Sequence, residues 1–198
     1  MIICIAGIDG CGKSTQVKLL KKYLASKGRA IFISKAYGKE EKRLFSGFIN
    51  RCNQVAILFL FQALHAQQRI KAEKALLEGK LVIADRWDES YLVYHANYGI
   101  LADKPGLREK INEMAFSGIR PDTTFLIDLP VEEAAKRRIQ RQKQKSADFF
   151  DLLPSEYHEV MSKDYLDLAK KMNWTIINGA KPALLIHKEI VSHLKIKA

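Results

Sequence analysis

Cysteine is scarce in this sequence, and its few positions exclude several kinds of protein. Only Cys4, Cys11 and Cys52 occur among the 198 residues. Their spacing matches no metal-binding pattern, and three cysteines cannot all pair within one chain. We therefore expect free thiols and a reducing, cytoplasmic compartment.

Long apolar runs and linkers are also lacking. The first apolar run covers only residues 2–6, and no basic leader precedes it, so we expect neither a secretory signal nor a membrane span. With no internal repeat and no Pro- or Ser-rich stretch, the sequence predicts a single domain over residues 1–198. Its 47% hydrophobic and 28% charged residues are ordinary values for a globular protein.

Negative charge is the third deficit, because 22 acidic residues face 33 basic ones and leave a formal charge of +11. Such a charge suits nucleic acid, a membrane surface or a small polyanion such as a nucleotide. The densest basic run, residues 136–145, has no interleaved aromatic side chains on which bases would stack. We therefore expect no nucleic-acid partner.

Short strand-like runs alternate with helical patterns along the chain. The predicted strands are residues 2–6, 30–34, 81–84, 124–128 and 175–178, and the clearest helices are residues 13–26, 54–77 and 131–142. This alternation is typical of an α/β fold with a five-stranded parallel sheet and flanking helices in three layers. Residues 142–154 have little periodicity and predict a mobile lid.

A phosphate-binding loop follows the first strand. Its pattern, G-x-x-x-x-G-K-[ST], lies between a strand and a helix, the context that a P-loop requires. Backbone N–H groups of the loop would surround phosphates, Lys13 would reach the terminal phosphates, and the Ser14 hydroxyl would bind Mg²⁺. Cys11 is either a small filler or a thiol activated by the helix N-terminus. The expected contacts with a nucleoside triphosphate are Gly7, Asp9, Gly10, Cys11, Gly12, Lys13, Ser14 and Thr15.

Several separated motifs resemble the thymidylate kinase family, whose members phosphorylate dTMP with ATP and Mg²⁺ in a P-loop NTPase fold. The P-loop contains the acidic Gly7-Ile8-Asp9-Gly10, and an Asp85-Arg86-Trp87 motif is followed by Ser90 and Tyr94. A Pro-Asp-x-Thr strand begins at Pro121. The resemblance runs through nearly the whole chain.

The Asp-Arg pair has a physical role in this setting. Asp85 follows a strand beside the P-loop, where its carboxylate would hold Mg²⁺ or its water shell. Arg86 would bridge the donor and acceptor phosphates, although such a pair is also a common structural ion pair. The resemblance further implies that Asp9 contacts the sugar and that Tyr94 packs on deoxyribose, with ordinary helix packing the alternative for Tyr94.

The acceptor site departs from the family pattern. Residues 34–38 lack the phosphate-clamping arginine of the family, and Lys35 is the available replacement. Phe61 matches the aromatic that stacks on thymine, but His65 replaces the arginine that reads the base, and Tyr91 stands where a smaller residue is usual. A neutral His65 would offer one donor to a base carbonyl. The expected acceptor contacts are Asp9, Tyr37, Phe61, His65, Arg86, Tyr91 and Tyr94.

The usual catalytic arginine is missing at both family positions, since Gly10 occupies the loop position and the lid reads Asp148-Phe149-Phe150-Asp151. The resemblance directs Arg137, Arg138 and Arg141 towards ATP, and any one of them is otherwise a solvated helix residue. We expect Arg141, or else Lys143 or Lys145, to supply the charge.

These observations predict a nucleoside monophosphate kinase, with dTMP the expected acceptor and Lys13, Asp85, Arg86 and Arg141 the expected catalytic residues. The resemblance also implies a homodimer, to which the apolar residues 54–64 would contribute. Two alternatives stay open: a kinase for another nucleotide or nucleoside, and a non-catalytic nucleotide-binding or nucleic-acid-associated regulatory protein.

Overall fold

The computed structural model describes residues 1–49, 51–97, 100–142 and 154–194, without the side chains of Ser46, Arg141 and Gln142. Its five strands are β1 (Ile2–Ala6), β2 (Ile31–Ser34), β3 (Leu81–Asp85), β4 (Thr123–Asp128) and β5 (Thr175–Asn178). They form one parallel sheet in the order β2-β3-β1-β4-β5. This confirms the predicted fold class.

Eight helices are found in the described ranges, and they flank the sheet. The three predicted helices have the predicted bounds: α1 (Lys13–Ser26), α3 (Gln54–Leu77) and α6 (Val131–Gln142). The others are α2 (Lys39–Ile49), α4 (Asp88–Tyr94), α5 (Pro105–Phe116), α7 (Ser155–Lys171) and α8 (Ala183–His193).

The helices fall into two groups around the sheet. Helices α1 and α8 pack on each other, while α3, α4, α5, α6 and α7 form a second connected group. Strands β1 and β3 are buried along their whole length because helices cover them. Near-continuous apolar strands are what burial on both faces demands.

The order of the strands fixes the position of the site. Strands β1 and β3 are neighbours in register, so Ile5 of β1 lies beside Asp85 at the carboxyl end of β3. In open parallel sheets, ligands bind in the crevice beyond the carboxyl ends of the strands. Here the P-loop and the Asp85-Arg86 pair leave adjacent strands and reach the same crevice.

In the described part of the chain, no helix combines the length and apolar character that crossing a membrane would need. The long helix α3 is instead amphipathic in its packing: Leu58 is 3% exposed, whereas Val55 and Phe59 are 47% and 60% exposed. Part of the apolar 54–64 segment therefore belongs to the core, and part lies on the surface.

Candidate active site

The P-loop joins β1 to α1 and depends on glycine for its shape. Gly7, Gly10 and Gly12 have φ values of 134°, 92° and 109°, which side chains with a Cβ rarely adopt. Lys13 is only 6% exposed, and its Nζ donates to the carbonyl oxygens of Gly7 and Ile8 at 2.9 and 2.8 Å. A buried ammonium at a helix N-terminus favours an anion at this position.

Cys11 lies beneath the loop rather than at its surface. Its side chain is completely buried, and Lys13 Nζ lies 3.9 Å from Sγ. A Cβ on Gly7 would come within 2.8 Å of the same sulfur. This packing favours the interpretation of Cys11 as a filler residue.

Asp85 and Ser14 form an oxygen-rich pair next to the loop. Ser14 Oγ donates to Asp85 Oδ2 at 3.0 Å, and Lys35 Nζ donates to the same oxygen at 2.7 Å. Burial opposes ionisation of Asp85, but the positive charges of Lys35 and Lys13 outweigh it and lower the pKa. The carboxylate therefore stays ionised, and a hydroxyl beside an ionised carboxylate is the type of donor set that Mg²⁺ prefers.

Arg86 is held in the crevice by partners from several elements. Its backbone φ of 75° is unusual for a residue with a side chain and turns the chain sharply after β3. Its Nη2 donates to Asp9 Oδ1 at 2.8 Å, and its Nη1 donates to Tyr165 Oη at 2.7 Å and Ser90 Oγ at 3.3 Å. The ion pair of Arg86 is thus with Asp9 of the P-loop and not with the neighbouring Asp85.

Asp9 of the P-loop contacts both Arg86 and Tyr94. Its Oδ2 accepts a hydrogen bond from Tyr94 at 3.1 Å, and the Arg86 guanidinium lies 5.4 Å from the centre of the Tyr94 ring. Burial would raise the pKa of Asp9, but the charges of Arg86 and Lys13 hold it far below its usual value. Asp9 therefore orients Arg86 and Tyr94, and its predicted contact with the sugar stays a prediction.

A buried carboxyl group lies directly behind Arg86. Glu89 is 1% exposed, and its carboxylate accepts hydrogen bonds from the Trp87 N–H at 2.7 Å and the Ser90 hydroxyl at 3.0 Å. Burial and repulsion from Asp88 raise the pKa of Glu89 to about 7. Ser90 therefore links Glu89 to Arg86 in one hydrogen-bonded network.

A cavity of about 580 Å³ adjoins these groups. That volume lies within the range of pockets for small molecules. Its aromatic wall includes Tyr37 and Phe61, whose ring centres are 5.3 Å apart at an angle of 61°. All of the residues predicted to bind the acceptor line this cavity: Asp9, Tyr37, Phe61, His65, Arg86, Tyr91 and Tyr94.

His65 is buried at the cavity wall and is uncharged near neutral pH. Its side chain is 6% exposed, and desolvation lowers its pKa to about 4, with a further contribution from the charge of Arg86. Its Nδ1 lies 3.2 Å from Gln68 Oε1. Because an amide oxygen only accepts, the one N–H of neutral His65 is used inside the protein. This geometry disfavours the predicted donation to a base carbonyl, which stays a prediction.

Two of the three arginines predicted to approach ATP have described side chains, and both contact the protein backbone. Arg138 is 6% exposed, and its Nη1 donates to the backbone oxygen of Asp9 at 3.0 Å, so it supports the P-loop from below. Arg137 lines the cavity and donates to the Gly179 oxygen at 3.3 Å. The Arg141 side chain and Lys143, Lys145 and the lid beyond them lie outside the described residues.

Gly10 shows why the P-loop carries no arginine at that position. A Cβ built on Gly10 would collide with the backbone carbonyl group of Ala134 in α6. The residue also has a positive φ of 92°. The helix backbone thus occupies the space that a side chain at this position would need.

Sequence reasoning missed three residues that organise the site: Gln68, Glu89 and Tyr165. Tyr165 lies on α7, 79 positions from Arg86, and no local pattern connects the two. Glu89 reads in the sequence as an ordinary acidic residue in the first turn of a helix. Gln68 had a usable signal, since it lies one turn from His65 on the same helix face.

The P-loop at the end of β1, together with the adjoining cavity, places this chain in the class of P-loop phosphotransferases. Comparison with known proteins narrows this class. The family model described as thymidylate kinase matches residues 5–190, and the chain belongs to the thymidylate kinase family.

Individual relatives agree with this assignment. The thymidylate kinase of Thermoanaerobacter sp. strain X514 is 32% identical over 202 aligned residues, covering 98% of this chain and 96% of that protein. The thymidylate kinase of Fervidobacterium nodosum is 36% identical, with 96% of each chain covered. The crystal structure of the Ehrlichia chaffeensis thymidylate kinase has a TM-score of 0.74 at 23% identity, covering 99% of this chain and 98% of that one. That structural likeness confirms the fold.

Proposed function

We propose that this protein transfers the γ-phosphoryl group of ATP to dTMP and releases dTDP and ADP. Membership of the thymidylate kinase family supports this activity. The observation that carries it in the structure is the convergence of Lys13, Asp85 and Arg86 beside an aromatic cavity. Phosphoryl transfer needs mainly positioning and neutralisation of charge, which this arrangement supplies.

The residues divide the work between donor and acceptor. Lys13 and the P-loop backbone bind the ATP phosphates, and Arg86 lies between them and the cavity, where it contacts the transferred group. Its charge is secure, because burial acts against ionisation but attraction to Asp9 and other neighbours raises its pKa. No general base is required, since the acceptor phosphate is already anionic.

Ser14 and Asp85 would hold Mg²⁺ in this proposal. When bound, the ion neutralises charge on the ATP phosphates. Lys35 donates to the same Asp85 oxygen and also lines the cavity, so we place it between the metal site and the acceptor. We propose that Lys35 contacts the acceptor phosphate in place of the missing arginine, as a point charge rather than a bidentate clamp.

The donor side requires a further cation, for which we propose Arg137 or Arg141. Arg137 lines the cavity, and a weak 3.3 Å bond to a backbone oxygen leaves its guanidinium with further donors. Comparing Arg137→Ala with Arg141→Ala separates them. The variant that loses at least about tenfold in kcat identifies the residue that stabilises the transition state, and a pair of unchanged variants would exclude both.

The first experiment measures ATP- and Mg²⁺-dependent phosphorylation of dTMP, dUMP, dCMP, dAMP, dGMP and thymidine. We expect dTMP to have the highest kcat/KM. A different preferred acceptor would favour a kinase for another nucleotide. His65 and Tyr91, which line the cavity and depart from the family pattern, are the residues that support this alternative. Turnover of none of them would favour a regulatory, nucleotide-binding role.

We also propose a homodimer in a reducing cytoplasm. The outer faces of α2 and α3 expose Leu44, Phe48, Val55 and Phe59, at 60%, 54%, 47% and 60%. A second copy of the chain would bury these side chains. Mass measurement in solution tests this: a monomer of 22.6 kDa would refute the dimer, and Phe59→Lys should weaken a true dimer. The free thiols of Cys4, Cys11 and Cys52 fit the proposed compartment.

A further inference from the structure

The orientation of one buried amide determines which nitrogen of His65 carries the proton. Gln68 Nε2 donates to the backbone oxygen of Arg86 at 2.9 Å. A carbonyl oxygen only accepts, so the amide nitrogen of Gln68 must face Arg86 and its oxygen must face His65. That oxygen lies 3.2 Å from His65 Nδ1. The proton of the neutral ring therefore resides on Nδ1.

The other ring nitrogen, Nε2, then carries a lone pair and no proton. Desolvation keeps the ring neutral, with a pKa of about 4, so this arrangement holds at physiological pH. No described residue forms a hydrogen bond with Nε2. This nitrogen is also not fully enclosed by the protein. Since His65 lines the cavity, Nε2 is a hydrogen-bond acceptor available to a ligand.

Tyr91 lines the same cavity, but its hydroxyl oxygen is enclosed by the protein. Tyr91 is 3% exposed and lines the cavity, yet its hydroxyl has no hydrogen-bonding partner within the described ranges. Burial raises the pKa of Tyr91 to about 12, so the hydroxyl keeps its proton. A hydroxyl enclosed in this way is not exposed to a ligand in the cavity, so recognition of a base does not rest on it.

We propose that His65 recognises the acceptor base through Nε2 as a hydrogen-bond acceptor, pairing with the N3–H of thymine. N3–H is the one hydrogen-bond donor on the pairing edge of thymine, and it complements a single acceptor such as Nε2. The inference rests on the proposed function, because it assumes that dTMP is the nucleotide bound. It gives position 65 the opposite polarity from an arginine, which only donates.

This assignment has a consequence for substrate choice. A base methylated at N3 has no N3–H to donate, and its methyl group would lie against Nε2 instead. A cytosine presents an unprotonated N3 at the same position, so two acceptors would oppose each other. We expect kcat/KM for 3-methyl-dTMP and for 5-methyl-dCMP to be at least about tenfold below that for dTMP.

Nuclear magnetic resonance tests the polarity directly, without relying on turnover. Protein labelled with ¹⁵N-histidine contains five histidines, and the His65→Gln variant identifies the His65 signals. We expect Nε2 to resonate as an unprotonated nitrogen and to shift when dTMP is added without ATP. The probe 3-methyl-dTMP should not produce that shift. A Gln68→Leu variant keeps His65 but removes the acceptor for Nδ1–H, so both tautomers should appear.

The outcomes separate this inference from the proposed function. A protonated Nε2, or an Nε2 signal unchanged while dTMP shifts other signals and is phosphorylated, overturns the inference and leaves the kinase activity intact. An unprotonated Nε2 that responds to 5-methyl-dCMP and not to dTMP overturns the thymine pairing. If dTMP neither binds nor reacts, the proposed function fails, and the thymine pairing fails with it.

Discussion

Tyr165 provides a sharp test of how Arg86, the proposed catalytic arginine, is held. Its hydroxyl accepts a 2.7 Å hydrogen bond from Arg86 Nη1 and lies 3.2 Å from Ser90 Oγ. A hydrogen bond to a charged group contributes about 1.5–3 kcal/mol. In Tyr165→Phe, Nη1 keeps only its longer bond to Ser90 at 3.3 Å, which offsets part of the loss. We expect kcat to fall about tenfold, equivalent to about 1.4 kcal/mol, with little change in the KM for ATP.

A coupled assay of ADP release, combined with thermal unfolding, measures both effects. Tyr23→Phe is the matched control, because it makes the same change on α1, where the ring contacts His187 far from the crevice. The control should behave like the wild type. If Tyr165→Phe kept its kcat within twofold and unfolded at the wild-type temperature, the hydroxyl of Tyr165 would not be what positions Arg86.

Three further predictions concern charge and space in the same region. The folded pKa of Glu89, about 7, exceeds its ordinary 4.5, so its burial costs nothing at acid pH and costs stability as pH rises from 4.5 to above 7. In urea unfolding at pH 8, Glu89→Gln should therefore be more stable than the wild type by up to about 3 kcal/mol, and at pH 4.5 the two should be similar. The same difference in stability at both pH values would contradict this. Asp9→Asn leaves Arg86 without its ion pair, so the free energy of unfolding in urea should fall by about 3 kcal/mol and kcat should fall strongly. Wild-type values of both would refute the proposed positioning role of Asp9. Gly10→Arg should lower both the unfolding temperature and ATP affinity, because the side chain meets Ala134, and a faster enzyme would disprove that steric argument.

Much of the fold could be predicted because its signals are local. Helices α1, α3 and α6 have the predicted bounds, and β1 and β5 match residue for residue. The remaining three strands differ by one residue at an end, where hydrogen bonding to neighbours decides the boundary. The P-loop could be predicted equally well, because its glycines and Lys13 occur at a fixed spacing between a strand and a helix.

The parts of the site that could not be predicted depend on contacts between distant segments. The sequence places Asp85 beside Arg86, but the fold pairs Asp85 with Lys35 and Arg86 with Asp9. The hydrogen-bonding polarity of His65 follows from the orientation of the Gln68 amide, which in turn depends on a carbonyl 18 residues away. Residue type alone leaves such choices open, because histidine can present either nitrogen as the donor.

The Gln68 side chain joins two functions that are usually considered separately. One end of its amide fixes His65, which we propose to contact the base, and the other end holds the backbone of Arg86, which we propose to contact the phosphates. A nucleotide that displaces His65 therefore also disturbs Arg86 through a single rigid group. Discrimination against a wrong base should accordingly appear in the turnover rate as well as in affinity, so that raising its concentration would not make it a good substrate.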